Sequence, residues 1–151
     1  MAQVITRSVA SLVTEANAAV TAIPAREAIA LQADPAVVFV DIRDPRELDR
    51  EGRIPGAFHC PRGMLEFWID PASPYHKPIF SEDKRFVLFC GSAWRSALAT
   101  KAAQDMGLQP VAHIAGGFTA WKAADGPVNM GPTPAKGPLQ GKGPLPSKGT
   151  S

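Results

Sequence analysis

The stretch Phe86-Val87-Leu88-Phe89-Cys90-Gly91-Ser92-Ala93-Trp94-Arg95-Ser96 decides how this chain folds. An unbroken apolar run from Phe86 to Phe89 reads as a strand buried on both faces, because a strand with one wet face would alternate apolar and polar residues. Cys90 ends that run, a short loop of mostly small residues follows, and a helical stretch begins at Arg95. Leu98, Ala102 and Met106 recur four apart along it, and Gly107 stands where a helix would stop. Such a junction is a place to hold a thiolate. Unpaired N–H groups and the positive end of the helix dipole favour negative charge there, and Arg95 adds a cation that does not titrate away. A lone cysteine at a strand end reads by default as a small core residue. The order strand, cysteine, loop, arginine, helix makes Cys90 a candidate nucleophile instead.

Working outward, Val37 to Val40 reads as a second buried strand and Val111 to Ile114 as a weaker third. Residues 8 to 32 read as helical: Val9, Leu12, Val13 and Ala16 keep helical spacing, and a second segment, Ala25 to Gln32, restarts after Pro24. Strands alternating with helices predict parallel strands joined by helical crossovers, hence an α/β three-layer domain with a central, mainly parallel sheet flanked by helices. Active groups in such folds gather at the carboxyl ends of strands, where Cys90 and Asp41 both stand. The expected organisation is an N-terminal helical segment, 1–33, packing on a domain spanning 34–127, followed by a flexible Pro/Gly-rich tail, 128–151. That tail nearly repeats itself at Lys136-Gly-Pro-Leu and Lys142-Gly-Pro-Leu and carries too few large apolar residues to offset its ordering entropy.

Composition narrows the setting. A chain of 151 residues has length for one domain with a real core, and a net charge of +2 argues against a dedicated nucleic-acid binder. Two cysteines make no disulfide framework, and no zinc-ligand spacing occurs; no metal and no cofactor are expected. The apolar stretch after Arg7 is broken by polar residues, which argues against a signal peptide, and no run is long enough to span a bilayer. The expected setting is reducing cytoplasm, without membrane attachment.

Three motifs in order make the chain resemble the single-domain rhodaneses, the thiosulfate-type sulfurtransferases, from about Val37 to Val128. The first is Phe39-Val40-Asp41-Ile42-Arg43-Asp44 with Glu47, followed by Gly52-Arg53-Ile54-Pro55-Gly56-Ala57. The second is Cys90 with Arg95-Ser96, and the third Gly116-Gly117-Phe118 with Trp121. The resemblance implies a rhodanese-like fold and a cysteine that takes a sulfane sulfur from a donor such as thiosulfate, becomes a persulfide, and passes the sulfur to a thiol or cyanide. Carried onto this chain, Cys90 is the nucleophile and Arg95 supplies charge, while Gly91, Ser92, Ala93, Trp94 and Ser96 form the substrate-binding cradle. The family often has histidine where Arg53 stands and glycine where Ala93 stands. Related protein phosphatases place five residues between cysteine and arginine, making room for a tetrahedral phosphate. Here residues 91 to 94 make a four-residue spacer, which favours sulfur transfer over phosphate hydrolysis.

Other residues invite different roles. Asp41, beside Arg43, reads as a structural carboxylate rather than a catalytic acid or base. Cys60 reads as a buried, inert thiol, with a sulfur-resolving role as the alternative. His59, His76 and His113 are scattered and read as satisfied or exposed histidines. Arg62 reads equally as a surface arginine or as one that draws anions to the pocket. Residues 64 to 80 interleave aromatics with prolines, and three readings stand. They form a lid closing over Cys90 with Trp94, a contact for a protein partner or homo-oligomer, or plain packing on the core's edge. The partners expected are a small-molecule sulfur donor and a thiol or cyanide acceptor, with a protein sulfur acceptor as a further candidate. The function alternative is a non-catalytic binding or sulfur-relay module on the same fold.

Overall fold

The structure is a computed structural model and describes residues 1–130. Its sheet comprises β1 (Thr21–Ile23), β2 (Val37–Asp41), β3 (Phe58–His59), β4 (Arg85–Phe89) and β5 (Val111–Ile114), in the order β1-β5-β4-β2-β3. Every strand pair is parallel, so each connection must cross a face of the sheet. The helices are α1 (Val9–Ala19), α2 (Ala25–Leu31), α3 (Pro45–Glu51), α4 (Leu65–Ile69), α5 (Trp94–Met106) and α6 (Gly117–Ala123). This is the three-layer α/β domain the strand–helix alternation predicts.

The central strand explains the apolar run. Side chains alternate across a strand, so Phe86 and Leu88 enter one core with Leu65, Ile69, Ala99 and Ala103, while Val87 and Phe89 enter the other with Ala28, Phe118 and Trp121. Both faces are covered, and no position from Phe86 to Phe89 is free to be polar. Trp121 is fully buried, and its indole N–H donates to the Pro127 carbonyl at 2.8 Å, so the one polar atom of its ring is satisfied.

Two expectations are corrected, and α5 buries residues that its apolar spacing does not mark. Residues 8 to 32 are not helical throughout: Thr21–Ile23 forms an edge strand on β5, with Ile23 buried. The segment is too short to show a period, and Pro24, read as a helix start, also ends that strand. The helix that the spacing of Leu98, Ala102 and Met106 predicts is α5, ended by Gly107, but its buried residues are Ser96, Ala97, Ala99, Thr100 and Ala103, with Met106 exposed. The helix lies between the sheet and α1, where Ala97 packs against Val13 and Ala16; small residues allow close approach on two sides. Residues 128 to 130, placed in the flexible tail, begin as structure. Val128 packs on the core, and Asn129 exchanges two 2.9 Å backbone hydrogen bonds with Arg53. The rest of that segment lies outside the described residues.

Candidate active site

Cys90 follows β4 directly and is almost wholly buried. The chain turns at Ala93, which holds φ +79°, a left-handed conformation strained for any residue with a Cβ. Ala93 is also the N-cap of α5 and has no side chain to cap the helix. The sulfur of Cys90 takes that place. The N–H groups of Ala93 and Ser96 donate to Sγ at 3.2 and 3.3 Å, so a donor orphaned at the helix start is spent on the thiol.

The loop rests on the third motif. Phe118 N–H donates to the Cys90 carbonyl at 2.8 Å, and Thr119 N–H to that of Gly91 at 3.0 Å. Gly117 has φ +63°, and a Cβ on it would lie 2.6 Å from the Cys90 carbonyl oxygen. Only glycine permits that approach. The first motif supplies the other wall. Arg95 grips Glu47 with both terminal nitrogens, at 2.8 and 3.0 Å. That hydrogen bonding holds the Glu47 carboxyl below the usual carboxylate range, despite opposing burial. Glu47 also accepts from the Asp44 N–H at 3.1 Å, closing a capping box on α3. A Cβ on Gly91 would come to 3.3 Å from the Arg95 guanidinium, so this glycine lets the arginine lie against the loop.

The structure therefore brings Cys90, Gly91, Ala93, Arg95 and Ser96 together. Ser92 and Trp94 are exposed, Trp94 at 51 %. Ser96 contributes its N–H, while its hydroxyl is engaged with His113 Nδ1 at 2.8 Å. An adjoining cleft of about 260 Å³ is lined by Ile42, Arg43, Asp44, Pro45, Pro61, Arg62, Gly63 and Arg95. Arg62 thus borders the cleft, with one nitrogen bonded to Glu66 at 2.8 Å.

Asp41 is structural. Both its oxygens are held by the buried Arg43, whose backbone N–H, Nε and terminal nitrogen donate at 3.1, 2.9 and 2.8 Å. Arg43 also donates to the Gly52 carbonyl and lies 4.3 Å from the Phe118 ring centre, so it pins β2 to the base of the site. Burial pushes the Cys60 thiol up to about 12, an inert state at neutral pH. His59 Nε2 meets the Arg43 carbonyl, and His76 Nδ1 the Trp68 carbonyl. In the aromatic insertion, Leu65, Ile69 and Phe80 are core residues, whereas Phe67 and Tyr75 are exposed. Among the described residues, no group of three or more His, Cys, Asp or Glu side chains is placed to hold a metal ion. Nor, among them, is any helix long and apolar enough to cross a membrane.

Three positions named in the sequence have site partners that the sequence does not show. Glu47 pairs with Arg95 of the Cys90 loop, and its signal was present as Asp44-Pro45-Arg46-Glu47, a capping-box pattern. Gly117 supports the loop, signalled only by a glycine pair before a helix. His113 lies behind the loop, and nothing local in the sequence ties it to Ser96.

The chain is similar to several known proteins. A Rhodopseudomonas palustris protein of unknown function, described as a possible tyrosine phosphatase, is 59% identical, with a TM-score of 0.83 over 85% of this chain and 99% of its own. The human single-domain sulfurtransferase is 27% identical, with a TM-score of 0.57 over 68% of this chain and 95% of its own. An uncharacterized Synechocystis protein is 34% identical over 62% of this chain and 48% of its own length. The chain spans about half the length of the curated relatives it matches. The model of the rhodanese-like domain matches residues 24–124, from α2 through the Cys90 loop to the end of α6. The chain belongs to the rhodanese-like domain family.

Proposed function

We propose that this protein is a sulfurtransferase that carries sulfane sulfur on Cys90. The observation that carries this reading is the closed four-residue spacer, in which the N–H groups of Ala93 and Ser96 already converge on the cysteine sulfur. Preorganised donors stabilise charge where they point, and these point at one sulfur atom. With thiosulfate, the Cys90 thiolate attacks the outer sulfur. A new S–S bond forms, the S–S bond of thiosulfate breaks, and sulfite leaves with the electron pair. Cys90 is then a persulfide anion. Cyanide or a thiolate attacks its terminal sulfur, leaves as thiocyanate or a persulfide, and returns the Cys90 thiolate. No net oxidant or reductant is needed. Arg95 lends positive charge at the loop without gripping the donor, because Glu47 occupies its fork. The cleft lined by Arg62 and Arg95 lies beside the loop and offers positive charge to an approaching anionic donor or acceptor.

The description of the Rhodopseudomonas relative raises a second reading, phosphate-ester hydrolysis. The spacer argues against it, since a loop closed on sulfur leaves its donors too near for a phosphoryl group. The test is to assay thiosulfate:cyanide sulfur transfer and aryl-phosphate hydrolysis on one preparation, with Cys90→Ser as the blank. Cys90-dependent sulfur transfer without phosphatase turnover is expected. Phosphatase turnover exceeding sulfur transfer overturns the reading, and the fold would then have been kept without its function.

A further inference from the structure

Behind the loop runs a chain of polar groups that the sulfur-transfer reading does not use. Ser96 Oγ lies 2.8 Å from His113 Nδ1, and His113 Nε2 lies 3.0 Å from Asn17 Oδ1. The Asn17 oxygen can only accept, so Nε2 carries the proton and Nδ1 is the acceptor. Ser96 therefore donates its hydroxyl hydrogen to Nδ1. Burial holds the His113 pKa below the ordinary histidine value, so the neutral ring this pattern needs is present at neutral pH. Ser96 and His113 are both buried, whereas Asn17 is exposed on α1.

The elements joined are the ones that matter. Ser96 sits in the first turn of α5, and its backbone N–H donates to Cys90 Sγ at 3.3 Å. His113 is on β5, paired in register with Leu88, two residues before Cys90. Asn17 is on α1, which ends at Ala19, before the first residue matched by the family model. A side chain from outside that domain thus fixes a tautomer, and the tautomer fixes the serine whose N–H holds the sulfur.

We propose that Asn17, His113 and Ser96 form a positioning relay that ties α1 to the sulfur-binding end of α5. This rests on Cys90 being the reactive thiol. The relay touches neither donor nor acceptor; it acts by holding the Ser96 N–H on Sγ, and α1 is therefore part of the site's support.

The test uses Asn17→Ala, His113→Phe, Ser96→Ala and the Ser96→Ala/His113→Phe double variant in the full chain. Two readouts are taken: steady-state sulfur transfer from thiosulfate to cyanide, and the rate at which iodoacetamide alkylates Cys90, followed by intact mass. A hydrogen bond of ordinary net strength corresponds to about a two- to tenfold effect. Each single variant is expected to lower kcat and slow alkylation by about that factor, with KM for thiosulfate unchanged. The double variant should lose no more than the worse single, because both remove one link. Lower melting temperature with unchanged kcat and alkylation would make the cluster merely structural and overturn the proposal. So would strictly additive losses. If His113→Phe does not fold, Asn17→Ala decides, since its site is exposed. Absence of sulfur transfer in the wild type would defeat the functional reading alone, because the alkylation readout needs no sulfur donor.

Discussion

Arg95 and Glu47 face each other across the site as a two-point ion pair, 2.8 and 3.0 Å long, joining the Cys90 loop to the capping box of α3. The pair fixes where the arginine's charge lies and ties two distant motifs into one wall. Glutamine can keep the capping box but not the ionic fork, so Glu47→Gln separates the two roles. It should lower kcat by about three- to tenfold, as expected for loss of one charge-assisted contact. The pH dependence has a definite sign. The folded-state pKa of Glu47 is depressed, so its contribution to stability is present above the ordinary glutamate value of about 4.5. It is lost as pH falls through the lower folded value. Urea unfolding across that acid range should show a shallower loss in Glu47→Gln than in wild type; parallel curves would contradict the pairing.

Ala93 stands in left-handed backbone where glycine would be unstrained. Ala93→Gly should stabilise the protein by about 0.5–1 kcal/mol, the strain relieved less the extra entropy of glycine in the unfolded chain. Equilibrium unfolding measures it, and a destabilised variant would show that the alanine methyl makes contacts worth more than its strain.

Gly117→Ala should be severe, because the new Cβ would meet the carbonyls of Cys90 and Gly91 at 2.6 and 2.7 Å. A loss of roughly 1–3 kcal/mol is expected from overpacking, together with a fall in turnover, since the displaced atoms belong to the reactive loop. Gly107→Ala is the control. It also has positive φ but nothing within 4 Å of its Cβ, so it should lose stability and keep its turnover. Equal activity losses in the two variants would refute the supporting role of Gly117.

Much of this fold was legible because its signals are local. The run Phe86 to Phe89 reports burial on both faces, and the order Cys90, short loop, Arg95 places a thiol at a helix start. The edge strand Thr21–Ile23 was not legible: three residues show no period, and its pairing with β5 is long-range. The buried face of α5 was not legible, because close packing against α1 selects alanine and serine, which large apolar residues do not mark. His113 is a satisfied histidine, as the sequence reading allows, but its partners, Ser96 and Asn17, meet it only in the fold.

Asp41→Asn should destabilise strongly and by a structural route. It leaves Arg43, 1% exposed, without its counter-charge, and breaking a buried pair from one side typically costs about 3–5 kcal/mol. Thermal unfolding followed by circular dichroism checks this. A variant that keeps its stability and loses only turnover would instead make Asp41 a catalytic group.

Cys60 should be silent. With its thiol pushed up to about 12 by burial, it has almost no thiolate at neutral pH. Cys60→Ala should retain near wild-type turnover in the thiosulfate:cyanide assay, and a large loss would mean that sulfur passes through Cys60.

The most direct test of the account is the intact mass of the protein after incubation with thiosulfate, with and without a later cyanide chase. The wild type should gain the mass of one sulfur atom and lose it in the chase, while Cys90→Ser gains none. Sulfur retained in Cys90→Ser, or no gain in the wild type, would contradict the claim that Cys90 carries the sulfur.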